Sequence, residues 1–420
     1  MRRDRSRRIL AEGVSVSNDS LETRLNNNTL LIGTTGSGKT RSYVIPNILA
    51  SEGSIVVSDT KGDLYDKLHG QLEAKGYRTM YIDFTDCLHS PTGYNPLAYI
   101  RMGGDDRPNE QDILSVARAL YPDMPTDPFW GYAARDLFSS LLGYTMSYLP
   151  AEEHNLVSIC RLLDTVADGR YEMLIDEVAE EAPYAFAVTH YAIMKSGKEA
   201  DKMIGSIRGI CSAELSHYRF DGAKRLFTME DQVRFEDLRY QKMALFVHIS
   251  DVDRSMDRLV ALLYEQLFRI LIKSTEREGR PFYPVHVILD DFACGCRVAD
   301  FESIISVIRS RGIYVSAAIQ SIAQLETKYK ERSATIVENC DTLLYLGGND
   351  PQTARLIAER SNRPVHEILS MPVGDMLLIQ RGQPVRKVKR YALEEHNEVI
   401  EQATEIRKKL TGVENEGICA

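Results

Sequence analysis

One short run near the start of the chain has the residue types and spacing of a phosphate-binding loop. GTTGSGKT, residues 33–40, fits the pattern G-x-x-x-x-G-K-[ST] and lies between an apolar run and a helical one. Glycines allow backbone N–H groups to wrap a phosphate, and the N-terminus of the following helix adds partial positive charge. A glycine-rich turn with an exposed lysine is the alternative, and the strand-turn-helix setting argues against it. The predicted nucleotide-binding residues are Gly33, Thr34, Thr35, Gly36, Ser37, Gly38, Lys39, Thr40 and Arg41.

Within this loop, Lys39 would reach the β- and γ-phosphates, and the Thr40 hydroxyl would ligate Mg²⁺. A second run, VHVILDDF (285–292), reads as a buried strand that ends on two carboxylates, which is costly unless a cation lies there. Asp290 suits the role of holding Mg²⁺ through water, and Asp291 that of activating the attacking water. Two solvated aspartates at a strand end are the alternative. The predicted ligands are therefore ATP and Mg²⁺.

Four further residues are weaker candidates. Gln320 ends another strand and could sense the γ-phosphate, although a capping amide is nearly as good an interpretation. Asp59, at the end of the strand after the loop's helix, could support the site. Arg309 or Arg311 could act across a subunit boundary as an arginine finger, against the commoner alternative of an exposed arginine. Pro46 should kink the helix after the loop near Ser42.

Strands alternate with helices at both ends of the chain, which predicts an α/β fold with a central, mainly parallel sheet covered on both faces. Gly382 suggests a final hairpin within residues 375–391. The predicted strands are 29–33, 53–59, 78–84, 243–250, 285–291, 313–321, 341–348 and the arms of that hairpin. From Glu394 onward the tail is predicted to be charged and helical.

Between these halves the strand pattern disappears. Residues 126–220 are predicted to form an inserted all-α domain, because about a hundred residues are too many for a loop. Residues 1–125 and 221–420 would then form one discontinuous nucleotide-binding domain. One helix of the insertion carries a predicted buried face made of Phe129, Ala133, Leu137, Leu141 and Tyr144, spaced by three and four.

Composition narrows the class of protein. A net charge of −9 argues against a uniformly basic protein that coats DNA, but not against a local basic lining. Seven cysteines without zinc-like spacing favour a reduced, cytosolic chain. No apolar run reaches the ~18 residues of a membrane helix, and no signal peptide is visible. Five arginines within residues 1–8 predict a solvated tail or a juxtamembrane segment. Two basic stripes, 195–209 and 381–390, are candidates for contact with a DNA backbone.

Several runs, in this order, resemble the conjugative coupling proteins of type IV secretion, a branch of the FtsK/HerA-like translocases. The matching runs are NNNTLLIGTTGSGKTRSYVIPNIL, SDTKGDLYD, GYNPLAYI, DPFWGYAARDL, LDDFACG with DFESIISVIRSRGIYVSAAIQSIAQL, and NCDTLLYLGGND. The resemblance covers about residues 25–355 and implies a RecA-like P-loop NTPase that assembles as a hexamer. It also implies that ATP hydrolysis moves single-stranded DNA, with an attached relaxase, toward a secretion channel.

Two departures from the family qualify this expectation. Such proteins usually begin with transmembrane helices, and none is visible in this sequence. We therefore expect either the cytosolic part of a longer protein or a naturally soluble form. We expect it in the cytoplasm, at the cytoplasmic face of the membrane in a full-length form. The family also usually has Glu where Asp291 stands. A nucleotide-binding recruitment scaffold with weak hydrolysis is therefore the alternative, whereas a small-molecule kinase or GTPase fits less well because no N-K-x-D motif is present.

Overall fold

The computed structural model describes residues 6–121, 128–196, 200–292 and 297–393, excepting the side chains of 128 and 200–203. Eleven strands occur in these ranges: β1 Arg7–Ala11, β2 Val14–Ser17, β3 Thr29–Ile32, β4 Ser54–Asp59, β5 Arg78–Asp83, β6 Met243–His248, β7 Val285–Leu289, β8 Ile313–Ile319, β9 Thr342–Tyr345, β10 Asp375–Gln380 and β11 Arg386–Lys389. β1 and β2 form a hairpin, and the other nine form one sheet in the order β11-β10-β9-β3-β8-β7-β4-β6-β5.

The sheet is parallel from β9 to β5, and only β10 and β11 run antiparallel to their neighbours. Every residue of β3, β4, β7 and β8 is buried, as expected of central strands covered on both faces. Along β3, Leu30 and Ile32 join one apolar core and Leu31 joins the other, which follows the two-residue period of a strand. The predicted α/β fold with a mainly parallel sheet is confirmed, and so is the hairpin at Gly382.

Seventeen helices surround the sheet: α1 Ser20–Thr23, α2 Ile45–Ala50, α3 Leu64–Ala74, α4 Glu110–Leu120, α5 Pro128–Tyr148, α6 Leu156–Thr165, α7 Arg170–Glu181, α8 Phe186–Lys195, α9 Ala200–Ser216, α10 Asp221–Thr228, α11 Asp237–Tyr240, α12 Asp257–Lys273, α13 Phe301–Val307, α14 Ile322–Tyr329, α15 Ser333–Glu338, α16 Pro351–Ser361 and α17 Val365–Leu369. This count refers to the described residues. The tail predicted to be helical from Glu394 lies outside them.

The helices α4 to α11 fill the long connection between β5 and β6, where the described residues form no strand. Side chains of α5 belong to the same apolar core as Leu30 and Ile32, so this block packs on one face of the sheet. The expected boundaries at residues 126 and 220 stay a prediction. On α5, the expected buried face is correct except for Phe129, which is 52% exposed one turn before the buried run begins.

The basic start of the chain differs from the expectation. Residues 1–5 lie outside the described part, but Arg7 and Arg8 lie on β1 and do not belong to a solvated tail. Arg8 is 1% exposed and donates from Nη1 to the Asn18 side-chain oxygen at 3.1 Å and to the Asn27 carbonyl. The hairpin is also fixed to α2, because Asn47 exchanges two hydrogen bonds of 2.9 Å with the backbone of Ile9. Within the described residues, no helix combines the length and the apolar character needed to cross a membrane.

Candidate nucleotide-binding site

The loop that follows β3 lies where a ligand is expected in such a sheet. β3 has β8 on one side and β9 on the other, and ligands of open α/β sheets bind outside the carboxyl ends of strands at this switch in strand order. The Gly33 N–H donates to the Ile319 carbonyl at 3.1 Å, and the Thr34 N–H donates to the Gly347 carbonyl at 3.3 Å. The start of the loop is therefore held by the end of β8 on one side and by the residues after β9 on the other.

Glycine is required at two turning points of the loop. Gly36 and Gly38 have φ values of 76° and 88°, in the left-handed region that side chains disfavour. The hydroxyl oxygen of Ser37 is buried and has no hydrogen-bond partner. A buried polar atom without a partner, beside backbone free of side chains, fits a loop built to receive a polar ligand.

The helix after the loop is irregular where Pro46 predicts it. Residues Thr40–Val44 form a π-helical turn, in which the Ile45 N–H donates to the Thr40 carbonyl, and α2 starts at Ile45. Pro46 has no N–H to donate to the Ser42 carbonyl, so a wider turn removes the clash that a regular helix would have. The kink predicted near Ser42 stays a prediction, and what the structure shows at this place is a π-helical turn.

The structure brings Lys39, Thr40 and Asp290 together. Lys39 is 6% exposed, and its ammonium donates to the carbonyls of Gly33 at 2.7 Å and Thr34 at 3.3 Å. The Thr40 hydroxyl donates to a carboxylate oxygen of Asp290 at 2.6 Å. A hydroxyl and a carboxylate that face each other beside a phosphate loop are the oxygen ligands that Mg²⁺ prefers. The residues therefore fit a Mg²⁺ ion held by Thr40 and, through water, by Asp290.

Asp290 carries an unusual proton affinity. The side chain is buried at the end of β7, and its pKa is raised from 3.8 to about 6, mainly by desolvation and also by the charge of the neighbouring Asp291. The Thr40 hydrogen bond and the nearby Lys39 charge act in the opposite direction but do not cancel the burial. A dication next to this carboxylate would remove the penalty that burial imposes on its charged form.

Asp291 adopts a backbone conformation that few residues tolerate. Its φ is 50°, and its N–H donates to the Asp290 carboxylate at 3.2 Å. Its own carboxylate accepts a hydrogen bond of 3.4 Å from the Thr60 hydroxyl. The N–H of the next residue, Phe292, is fixed to the Ala318 carbonyl of β8 at 2.8 Å. Aspartate and asparagine enter the left-handed region more readily than longer side chains.

Asp59 accepts hydrogen bonds from the backbone of the loop that contacts Asp291. Its carboxylate accepts from the N–H groups of Lys61 and Gly62, each at 3.0 Å, and of Leu64 at 2.8 Å. These bonds order the segment that carries Thr60 and start α3. Asp59 therefore lies next to the site, where its role as site support stays a prediction and its visible contacts are structural.

The remaining candidates lie in two places. Gln320 follows β8 at the same sheet edge as the phosphate loop, where its side-chain oxygen accepts from Gln324 at 3.3 Å. Arg309 and Arg311 precede β8, at the opposite edge of the sheet, and Arg309 donates to the Ser20 carbonyl at 3.4 Å. Neither arginine belongs to the site of its own chain, so only a contact with another subunit would give it the predicted role.

Several cations of the two basic stripes form ion pairs within the molecule. Lys195 is paired with Glu172, and the stripe it begins lies in part outside the described residues. In the second stripe, Arg381 pairs with Asp341 at 3.2 Å, and Lys387 pairs with Asp375 at 2.7 Å. Arg390, the last residue of that stripe, was not assigned to the nucleotide site from the sequence. It lies beside Gly38 of the phosphate loop, and no motif spacing could have indicated a contact between such distant positions.

This fold and this site define a RecA-like P-loop nucleotide-binding protein. The family model described as "Type IV secretory system Conjugative DNA transfer" matches residues 3–363, and the chain belongs to this family of conjugative coupling proteins. Protein VirD4 of Rhizobium radiobacter is 23% identical over 344 residues, which is 79% of this chain and 47% of that relative. The chain thus spans about half the length of the curated relatives it matches.

Solved structures agree on the fold. The plasmid coupling protein TrwB in complex with ADP and Mg²⁺ superposes with a TM-score of 0.68 at 16% identity, covering 93% of this chain and 90% of that chain. TrwB in complex with the ATP analogue ADPNP gives a TM-score of 0.67 at 18% identity, with the same coverage. The expected RecA-like P-loop fold and the expected family are therefore confirmed.

Proposed function

We propose that this protein is an ATP-driven coupling protein that recruits single-stranded DNA with an attached relaxase and moves it to a type IV secretion channel. The observation that carries the proposal is the contact of 2.6 Å between the Thr40 hydroxyl and the Asp290 carboxylate, beside a complete phosphate loop. Structural relatives that are named as complexes with ADP and Mg²⁺ or with ADPNP support the same use of this site.

In the proposed reaction, the backbone N–H groups from Gly36 to Thr40 would hold the phosphates and Lys39 would neutralise charge on the β- and γ-phosphates. Mg²⁺, when bound by Thr40 and Asp290, supplies the charge that stabilises the transferring phosphoryl group. Asp291 would accept a proton from the attacking water, and Gln320 would orient that water from the neighbouring strand end. Each of these side chains lies at the carboxyl edge of β3, β7 or β8.

A groove beside the helical block supports the proposed contact with DNA. It has a volume of about 1050 Å³ and lies between α4, the start of α5, α12 and the segment after the Asp290–Asp291 pair. Five arginines and three acidic residues line it, together with the half-exposed ring of Tyr132. The arginines are Arg118, Arg135, Arg258, Arg297 and Arg332. An excess of guanidinium groups beside an aromatic ring suits a phosphate backbone with unstacked bases.

Hexamer formation, relaxase recruitment and a position at the cytoplasmic face of the membrane complete the proposal, with family membership as their support. A ring would also give Arg309 or Arg311 a neighbouring site to reach. We expect DNA to stimulate hydrolysis by favouring that ring, because motors of this class complete their sites across subunit boundaries.

The test measures ATP hydrolysis with and without single-stranded DNA, together with the mass of the particle in solution. The proposal expects stimulation by DNA and a DNA-dependent increase in mass. Lys39→Ala should reduce turnover to background while the protein stays folded. Hydrolysis that is indifferent to DNA in preparations shown to be hexameric would refute the motor.

The alternative function is a recruitment scaffold that binds nucleotide but hydrolyses it slowly. The observation in its favour is Asp291, whose short side chain is engaged by Thr60 at 3.4 Å. Hydrolysis rates of wild type, Asp291→Asn and Asp291→Glu distinguish the two functions. If Asp291 is the base, Asn should lose at least about a hundred-fold in turnover, in line with general-base catalysis. Equal rates for Asn and wild type would favour the scaffold.

A further inference from the structure

Arg390 reaches the phosphate loop from the far end of the chain. It follows β11, and a Cβ atom added to Gly38 would lie 3.5 Å from its Nη1 atom and 4.0 Å from its Cδ atom. A Cβ atom at these distances would be in ordinary van der Waals contact, so the guanidinium packs directly beside the backbone of Gly38. Gly38 directly precedes Lys39, so a second cation lies beside the part of the loop that is built for anions.

The hydrogen-bond donors of Arg390 are only partly used. Its Nη2 atom donates to the Leu346 carbonyl at 2.8 Å, whereas its Nε atom is buried without a partner. In the described part of the chain, no carboxylate lies within ion-pair distance of this guanidinium. Desolvation lowers the pKa of Arg390, which means that burial disfavours its charged form. The nearby Asp375 charge acts in the opposite direction but does not cancel the effect of burial on this pKa. A partly buried cation with an unpaired N–H donor and no carboxylate in direct contact can bind an anion.

The position of Arg390 in the sheet indicates which part of a nucleotide it would meet. The carboxylates Asp290 and Asp291 follow β7, which lies on the β8 side of β3. Arg390 and Leu346 lie on the other side, beside β9 and its neighbours β10 and β11. The reacting γ-phosphate belongs beside the metal-binding carboxylates, so the opposite side of the loop faces the α-phosphate and the nucleoside.

We propose that Arg390 binds the nucleotide within its own chain, at the α-phosphate and nucleoside end. This inference rests on the proposed nucleotide function of the loop. It reassigns one residue of a stripe that the sequence offered for DNA, because the guanidinium lies 3.5 Å from the position that a Cβ atom of Gly38 would occupy. The contact would be common to ATP and ADP, since it does not involve the γ-phosphate.

A purely structural role is the competing explanation. Through the Leu346 carbonyl, Arg390 ties the β10–β11 hairpin to the end of β9, and the hairpin would loosen without it. That role predicts a loss of thermal stability and little change in nucleotide affinity for molecules that remain folded. The two roles are therefore separated by equilibrium binding, measured on folded protein.

The experiment titrates fluorescent ADP and a fluorescent, non-hydrolysable ATP analogue into wild type, Arg390→Met, Arg390→Lys and Arg386→Ala. Methionine keeps the apolar stem, lysine keeps the charge without the forked donors, and Arg386 is an exposed arginine of the same hairpin that serves as the matched control. The melting temperature of each variant is recorded in the absence of nucleotide.

We expect Arg390→Met to weaken both nucleotides by a similar factor of about ten to a hundred, the range for hydrogen bonds to charged groups. Arg390→Lys should retain part of the affinity, and Arg386→Ala should match wild type. Unchanged affinities in folded Arg390→Met would overturn the inference, and so would a loss confined to the ATP analogue. If Arg390→Met does not fold, Arg390→Lys decides: affinities equal to wild type would overturn the inference. None of these outcomes affects the proposed motor, which would fail if wild type bound no nucleotide or if its hydrolysis were indifferent to DNA.

Discussion

Replacing Asp290 with asparagine should make the nucleotide-free protein more stable while it destroys the site. Burial raises the pKa of this carboxyl from 3.8 to about 6 in the folded protein. A carboxyl whose folded pKa is raised binds its proton more tightly in the folded state, so stability falls as pH rises from 3.8 to 6. This rise of the Asp290 pKa from 3.8 to about 6 corresponds to about 3 kcal/mol of lost stability above pH 6. Asparagine is nearly isosteric and can still accept the Thr40 hydrogen bond, but it carries no charge.

The assay is equilibrium denaturant unfolding of wild type and Asp290→Asn at pH 5 and pH 8, without nucleotide or Mg²⁺. The variant should be more stable by up to about 3 kcal/mol at pH 8 and by roughly half of that at pH 5. Mg²⁺ and ATP should stabilise wild type strongly and the variant weakly, because only wild type offers the carboxylate. A variant that is less stable at pH 8, or whose advantage does not change with pH, would show that Asp290 is not a destabilising buried charge.

Two further substitutions test other parts of the molecule. Asp83→Asn should lower the stability of the folded protein. Desolvation alone would raise the pKa of Asp83, but the hydrogen bonds that it accepts, foremost from His248, lower it overall. The same pairing raises the pKa of His248. We expect a loss of roughly 1–3 kcal/mol near pH 6, and a smaller loss above the raised pKa of His248, measured by denaturant unfolding across pH. Asn47→Ala removes both hydrogen bonds to Ile9 and should cost about 1–3 kcal/mol. Limited proteolysis should then cut the β1–β2 hairpin faster than in wild type, and equal cutting rates would show that other contacts hold it.

The sheet could be predicted because each central strand is a short apolar run, and because a motif fixes where β3 ends. The β1–β2 hairpin could not, since five arginines in eight residues indicate a solvated segment. Burial of Arg8 depends on the side chain of Asn18 and the carbonyl of Asn27, and no local pattern reveals such partners. Phe129 shows the same limit on α5, because its spacing fits the buried face but the core begins one turn later.

Within the site, motif spacing identified the residues that directly follow β3 and β7, but it did not identify Arg390, which the order of the strands places there. Lys39, Thr40 and Asp290 end or follow β3 and β7, so their meeting follows from the alignment of parallel strands. Arg390 reaches Gly38 because β10 and β11 extend the sheet beyond β9 and return the chain to the same edge. That arrangement depends on antiparallel pairing at the end of the chain, and the composition of the last strand only suggested surface charge.

The aspartate at position 291 has a structural explanation that bears on catalysis. Its φ of 50° lies in the left-handed region, where Asp and Asn are several-fold more frequent than most other residues. The resemblance to coupling proteins leads one to expect Glu there, but Glu would meet this backbone at a cost that Asp largely avoids. The conformation is set from both sides, by the Asp290 carboxylate that accepts the Asp291 N–H and by the Ala318 carbonyl that accepts the Phe292 N–H. The shorter side chain therefore matches the backbone that presents it, and its reach toward water depends on this turn as much as on its length.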